Sequence, residues 1–356
     1  MVFAGNTGPD PLDIDRRHVV KVSVDRARME VMTPGAGNEW TPVVTGDGNT
    51  LAFIGATTQE PPVVTVMPLD GGKRQALTRD RIPADFPSSE LVTPKQVVFN
   101  APDGTKIHGQ FFERAGGPAR KPAIIYVHGG PPRQMLLGWH YSDYYANAYA
   151  TNQYLASRGF VVLSVNYRLG IGYGYEFHRP ARGAGAAGAS EYQDVKAGAE
   201  WLARQPQVDA AHIGIYGGSY GGYLTALALG RDSDLFAAGV DIHGVHDWTS
   251  RGGGGGQTRF EQAPDLDLAR RVAWESSPVS AIDTWTSPVL VIHADDDRNV
   301  QFSQSTDLVQ RLNAKGVDVE TLVIVDDTHH MMRHTNWITI GKAAASFFER
   351  RFMRKY

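Results

Sequence analysis

A serine hydroxyl becomes a useful nucleophile only where a base can take its proton and an acid can hold that base. The run Gly217-Gly218-Ser219-Tyr220-Gly221 sets one serine in a Gly-x-Ser-x-Gly pattern. Ahead of it, His212-Ile213-Gly214-Ile215-Tyr216 reads as a short apolar strand, and behind it Tyr223 to Leu229 reads as a helix. Strand, glycine corner and helix in that order describe a nucleophile elbow, which holds the hydroxyl above a sheet edge. Glycine fits where backbone crowds backbone. The N-terminal end of the following helix favours negative charge developing nearby. In a chain with 39 glycines the bare pattern also fits a helix start capped by serine. The flanking elements favour the elbow.

On this kind of scaffold the acid and the histidine follow the serine in that order, one after the next-to-last strand and one after the last. Val289-Leu290-Val291-Ile292-His293 leads into Ala294-Asp295-Asp296-Asp297, and Thr321-Leu322-Val323-Ile324-Val325 leads into Asp326-Asp327-Thr328-His329-His330. Both residue types stand in the required order. Position alone leaves open which aspartate and which of His329 and His330 serves. Acyl transfer also needs donors for an oxyanion. Tyr220 N–H is one, directly after the nucleophile. The second belongs to Gly129 or Gly130, Gly130 being the first choice, in the loop His128-Gly129-Gly130-Pro131-Pro132. That loop also fits a simple tight turn.

Other candidates carry less. His128, His140, His243 and His246 show no ligand spacing with a third carboxylate, so no metal is expected. The run Gly252 to Gly256 lacks the Lys-Ser/Thr of a phosphate loop and reads as a loop near the site entrance.

The elements that must position these residues form an α/β pattern. Apolar strands at 123–127, 160–165, 213–216, 238–242, 289–293 and 321–325 alternate with helical patterns near 143–157, 190–204, 220–230, 302–315 and 336–350. Such alternation predicts a mostly parallel, doubly wound sheet covered on both faces, with its site at the carboxyl ends of the strands. A hairpin precedes it, turning at Pro102-Asp103-Gly104. Residues 1–92 differ. Short β runs at 19–24, 51–56 and 63–69 are separated by turn signals and read as antiparallel meanders, with a Pro-rich linker at 81–90. The expected division is 1–92 and 93–356.

Composition narrows the field. The formal net charge of 356 residues is -3, without the basic excess of a nucleic-acid footprint. With no cysteine, neither a disulfide nor a thiolate nucleophile can form. No apolar run is long enough to span a bilayer, and the first residues lack a signal-peptide pattern, so no membrane association and a cytoplasmic location are expected. A longer precursor would move that expectation to the periplasm or outside.

The residues resemble a known family. Gly217-Gly218-Ser219-Tyr220-Gly221-Gly222-Tyr223 is similar to the nucleophile motif of the prolyl oligopeptidase family of serine peptidases, and His128-Gly129-Gly130-Pro131 to its oxyanion loop. Asn166-Tyr167-Arg168 with Gly172-Tyr173-Gly174 resembles a further family segment. His293-Ala294-Asp295-Asp296-Asp297-Arg298-Asn299-Val300 resembles His-Gly-x-x-Asp-x-x-Val, with alanine in place of the glycine, and implies Asp297 as the acid. Asp326-Asp327-Thr328-His329 resembles Pro-Asp/Gly-Glu-x-His without its proline and implies His329 as the base. The resemblance covers roughly 93–356. It implies an α/β-hydrolase fold that cleaves peptide or acyl-peptide bonds, with esters of small acyl groups as the rival substrate and a silent binding protein as the third reading. Neither cofactor nor metal is implied. Asn299 falls where dipeptidyl-peptidase relatives hold a substrate carbonyl. Residues 51–78 resemble closing blades of the family's β-propeller. The chain has room for about two blades, as a truncated or a natural short form, and their open edges call for cover by the hydrolase part or by another copy of the chain.

Overall fold

The computed structural model describes residues 1–8, 10, 13–180, 186–250 and 263–353. The glycine run at 252–256 lies outside the described residues. The chain divides into two compact units: Met1–Gln96 with Gln134–Gln153, and Val97–Arg133 with Tyr154–Tyr356.

The first unit holds two antiparallel sheets. One is β1 (Val2–Gly5), β2 (His18–Val22) and β3 (Met29–Val31), in that order. The other is β4 (Asn38–Val44), β5 (Thr50–Ala56), β6 (Val63–Pro68) and β7 (Gln75–Ala76), a four-stranded meander with the strand number of one propeller blade. Val19, Met32, Leu51, Phe53 and Met67 form a shared buried cluster. Strands β1, β3, β4 and β7 are additions to the sequence reading. In β4 the pairing with β5 shifts between Trp40 and Val43, and Thr41 takes a φ of 53°, so the alternation that marks a strand is broken there.

Segment 134–153 joins this unit through hydrogen bonds. Gln134 Nε2 donates to Ile14 O at 2.7 Å, Leu137 N–H to Asp15 O at 2.9 Å and Tyr149 Oη to Thr58 O at 2.7 Å. Gln153 forms a reciprocal pair with the Val92 backbone, both bonds 2.8 Å.

The second unit is built on an eight-stranded sheet. Its strands are β8 (Lys95–Asn100), β9 (Lys106–Phe112), β10 (Lys121–Val127), β11 (Val161–Asn166), β12 (Val208–Gly218), β13 (Ala238–Ile242), β14 (Val289–Ala294) and β15 (Val319–Ile324), in the spatial order β15-β14-β13-β12-β10-β11-β9-β8. From β10 to β15 all neighbouring strands run parallel, while β9 joins β11 antiparallel. This is the expected α/β architecture. Every residue of β11, β13 and β14 is buried, which is why these strands read as mostly apolar runs, with Ser164, Asn166, Asp241 and His293 as their buried polar residues. Helices α1 (Asp143–Ser157), α3 (Ser190–Ala203), α4 (Tyr220–Arg231), α6 (Ser303–Lys315) and α7 (His334–Phe352) fall where the periodicity predicts them. Helices α2 (Tyr175–His178) and α5 (Leu266–Glu275) are additions. No α5 residue is buried, so it carries no deep apolar stripe; Asp265 starts it by accepting from Leu268 N–H at 2.9 Å.

The order of strands fixes where a site can form. From β10 the chain goes to β11 on one side, then returns with β12 on the other. The loops leaving β10 and β12 therefore open at a switch point of the sheet.

Candidate active site

Ser219 stands at that switch point, between β12 and α4. Its φ and ψ are 59° and −119°, a strained setting for a residue with a Cβ, costing about 1–3 kcal/mol. The surroundings enforce it. Ser219 N–H donates to Ile242 O of β13 at 2.9 Å, and Ser219 O accepts from Tyr223 N–H at 2.9 Å. The flanking glycines are required by close approach: a Cβ on Gly217 would lie 2.4 Å from Val127 O, and one on Gly221 2.2 Å from the same atom. A Cβ on Gly222 would lie 2.7 Å from Ile242 O. The hydroxyl is thus held at the N-terminal end of α4, where backbone N–H groups point outward.

Asp297 and His329 come to this serine from the loops after β14 and β15. His329 Nε2 lies 2.9 Å from Ser219 Oγ, and His329 Nδ1 lies 2.6 Å from Asp297 Oδ2. With the carboxylate ionised, Nδ1–H donates to Asp297 and Nε2 is left to accept from the serine hydroxyl. Asp297 is 6% exposed. Its Oδ1 accepts from Asn299 N–H at 2.8 Å and Val300 N–H at 2.9 Å, and His293 Nε2 lies 3.2 Å from Oδ2. Burial opposes ionisation, but the hydrogen bonds from His293 and His329, with the Val300 N–H, outweigh it and hold the carboxyl well below its ordinary range.

The rival residues in the two loops do other work. Asp296 is exposed and pairs with Arg298, 3.1 Å away. Asp295, also exposed, accepts from Asp326 N–H at 2.9 Å and ties the two loops together. His330 faces solvent. Asp327 is buried and accepts from Thr328 N–H and Met332 N–H, each at 2.8 Å, and from Asn336 Nδ2 at 2.6 Å. It braces the turn that carries His329.

The loop after β10 lies beside the elbow, because Val127 pairs with Gly217 in parallel register. Gly130 has a φ of 66°, the left-handed region that glycine enters without cost. His128 is fully buried, stacks on Tyr167 at 4.1 Å between ring centres, and places Nδ1 3.1 Å from Gly129 O. Tyr167 Oη donates to His128 O at 2.6 Å. Burial pushes the His128 imidazole down to about 4, against the Gly129 hydrogen bond. Tyr220 opens α4, so its backbone N–H has no partner within the helix. The Asn299 side chain is exposed, and its backbone N–H supports Asp297.

Two residues here were not singled out as functional by the sequence reading. Glu191 is buried and accepts from Tyr220 Oη and Gly188 N–H, both at 2.5 Å, fixing the residue after the serine. In the sequence it is one acid in the first turn of a helix. His243 is buried with its ring centre 4.3 Å from that of His329; its position after β13 was the available signal. His243, Asp297 and His329 are also the one group of three such residues with donor atoms all within 4.8 Å of one another among the described residues. The 2.6 Å between Asp297 and His329 is a shared-proton distance, shorter than the roughly 3.3 Å between two ligands on tetrahedral bonds of about 2.0 Å. The arrangement is suited to proton transfer.

Comparison with known proteins gives the family and the fold. The model of the prolyl oligopeptidase family matches residues 146–355. Dipeptidyl aminopeptidase BIII of Pseudoxanthomonas mexicana is 31% identical over 232 residues, covering 60% of this chain and 31% of that protein. Among solved structures, the acylaminoacyl peptidase of Pyrococcus horikoshii superposes with a TM-score of 0.78 at 22% identity, over 96% of this chain and 54% of that one. A puromycin-hydrolyzing peptidase of Mycobacterium tuberculosis gives 0.79 at 22% identity, over 94% and 52%. These superpositions carry the fold. The chain spans about a third of the length of the curated relatives it matches and about half that of the solved ones.

Proposed function

Because the chain belongs to the prolyl oligopeptidase family, we propose that it is a serine peptidase in which Ser219, His329 and Asp297 act as nucleophile, base and acid. The observation that carries this reading is the double engagement of His329, 2.9 Å from Ser219 Oγ on one side and 2.6 Å from Asp297 on the other. Ser219 Oγ attacks the substrate carbonyl carbon while His329 Nε2 takes its proton. Asp297 keeps the imidazole in the accepting tautomer and stabilises the imidazolium. The negative oxygen of the tetrahedral intermediate is held by Tyr220 N–H and by a Gly130 or Gly129 N–H. His329 then protonates the leaving amine, and water releases the acyl group from Ser219 by the same steps in reverse roles.

The substrate class proposed is a peptide or acyl-peptide amide, with the exposed Asn299 as a candidate contact to a substrate carbonyl. A short acyl ester is the rival, since the same three residues serve both chemistries.

The test is mass spectrometry after treatment with a fluorophosphonate probe, with turnover of a peptide amide and a p-nitrophenyl ester measured in parallel. A single adduct on Ser219, absent from Ser219→Ala, with amide turnover is the expected result. The same adduct with ester turnover alone replaces the peptidase reading by an esterase. No adduct on folded protein overturns the catalytic reading in favour of a binding role.

A further inference from the structure

His243 takes no part in the chemistry above, yet it is fully buried beside it. It is the first residue after β13, at the sheet edge that also carries Ser219, Asp297 and His329. Its φ of 41° lies in the left-handed region, which a residue with a Cβ enters only under constraint. The constraint is visible: His243 N–H donates to Ile292 O of β14 at 2.7 Å, locking the turn to the neighbouring strand. The consequence is that the imidazole lies against that of His329, with centroids 4.3 Å apart and planes inclined by 36°.

Three titratable groups lie around this ring: His329 from the loop after β15, His293 of β14 at 6.1 Å between centroids, and Asp297, with a donor atom within 4.8 Å; the exposed His330 acts on it through charge alone. Burial first, then the neighbouring His329 and His293, hold His243 well below the ordinary histidine value, so it stays neutral at neutral pH. A neutral aromatic face attracts a cation more strongly than it attracts a neutral ring. His329 is neutral before attack and cationic while it holds the serine proton. An interaction stronger at that moment than before it accelerates the step.

We propose that His243 is a positioning residue, whose buried ring, pressed on His329 by a strained turn, favours the protonated form of His329 during acyl transfer. The inference rests on the reading of His329 as the base.

The test is an NMR titration of His329 in protein with isotope-labelled histidine, for the wild type, His243→Ala and His243→Phe. Kinetics of a peptide amide across pH and thermal melting accompany it. In His243→Ala the titration midpoint of His329 is expected to move to lower pH. Its kcat is expected to fall about 2- to 30-fold, with KM held within about twofold. His243→Phe, which keeps an aromatic face, is expected to retain most of both. An unmoved His329 midpoint in His243→Ala overturns the inference, even where kcat falls, since the loss is then structural. Loss in His243→Phe equal to that in His243→Ala at similar melting temperature also overturns it. If Ser219 takes no fluorophosphonate while the midpoint still falls in His243→Ala, the peptidase reading fails and the ring contact stands.

Discussion

Asp297 Oδ2 lies 2.6 Å from Nδ1 of His329, across 32 positions of sequence. That contact sets which nitrogen of His329 carries a proton, and therefore whether Ser219 meets an acceptor. Replacing Asp297 by Asn keeps the shape and offers an N–H that favours the wrong tautomer. For Asp297→Asn, kcat on a peptide amide is expected to fall about ten-thousandfold, with the fold retained by circular dichroism. Asp296→Asn, at an exposed residue paired with Arg298, is expected to leave the rate unchanged. A reversed ranking of the two variants would remove Asp297 from the role of acid.

The loop after β10 should give the protein a pH-dependent stability. His128 is buried and held down to about 4 in the folded state, against about 6.5 when unfolded. Between those values the unfolded chain binds the extra proton, so stability falls as pH drops from about 6.5 towards 4. The gap corresponds to at most about 3 kcal/mol. Denaturant melts of the wild type and His128→Gln across this window are expected to show the stability difference narrowing as pH falls. A constant difference would mean that His128 titrates normally in the folded protein.

Glycines in this chain serve two purposes that mutation separates. A Cβ at Gly221 would meet Val127 O at 2.2 Å, whereas Gly316, at the end of α6 with φ 80°, faces open space. Gly316→Ala is expected to cost about 1–2 kcal/mol in a denaturant melt, for the left-handed backbone alone. Gly221→Ala must push backbone against backbone and is expected to cost more than about 4 kcal/mol or to prevent folding. Equal costs would contradict the close approach of β10 to the elbow.

Asn299 offers a way to separate binding from chemistry. Its backbone N–H supports Asp297 while its side chain is exposed. Asn299→Ala therefore leaves the acid held. If the side chain binds a substrate carbonyl, KM for a peptide amide is expected to rise about tenfold with kcat little changed. An unaltered KM would discard that role.

The sequence by itself determined the α/β order, the glycine corner around Ser219 and the loops that bear the proposed acid and base. These signals are local. A buried parallel strand is mostly apolar, and a backbone packed closely on its neighbour favours glycine, so both leave marks in consecutive residues. Position left the residues of those loops equivalent and family resemblance pointed to Asp297 and His329, but only tertiary structure decided what each residue there touches. Asp295, Asp296 and Asp297 are chemically the same and adjacent. One ties two loops, one faces solvent beside Arg298, and one is buried under His329. The direction in which a loop turns each carboxylate depends on β14, β15 and the helices behind them, and residue type alone does not encode it. The same holds for His243, whose contact with His329 spans two loops, and for segment 134–153, which joins the first unit through hydrogen bonds to residues far away in the chain. Burial and hydrogen-bond direction are properties of the assembled fold, and they separate residues that share a type.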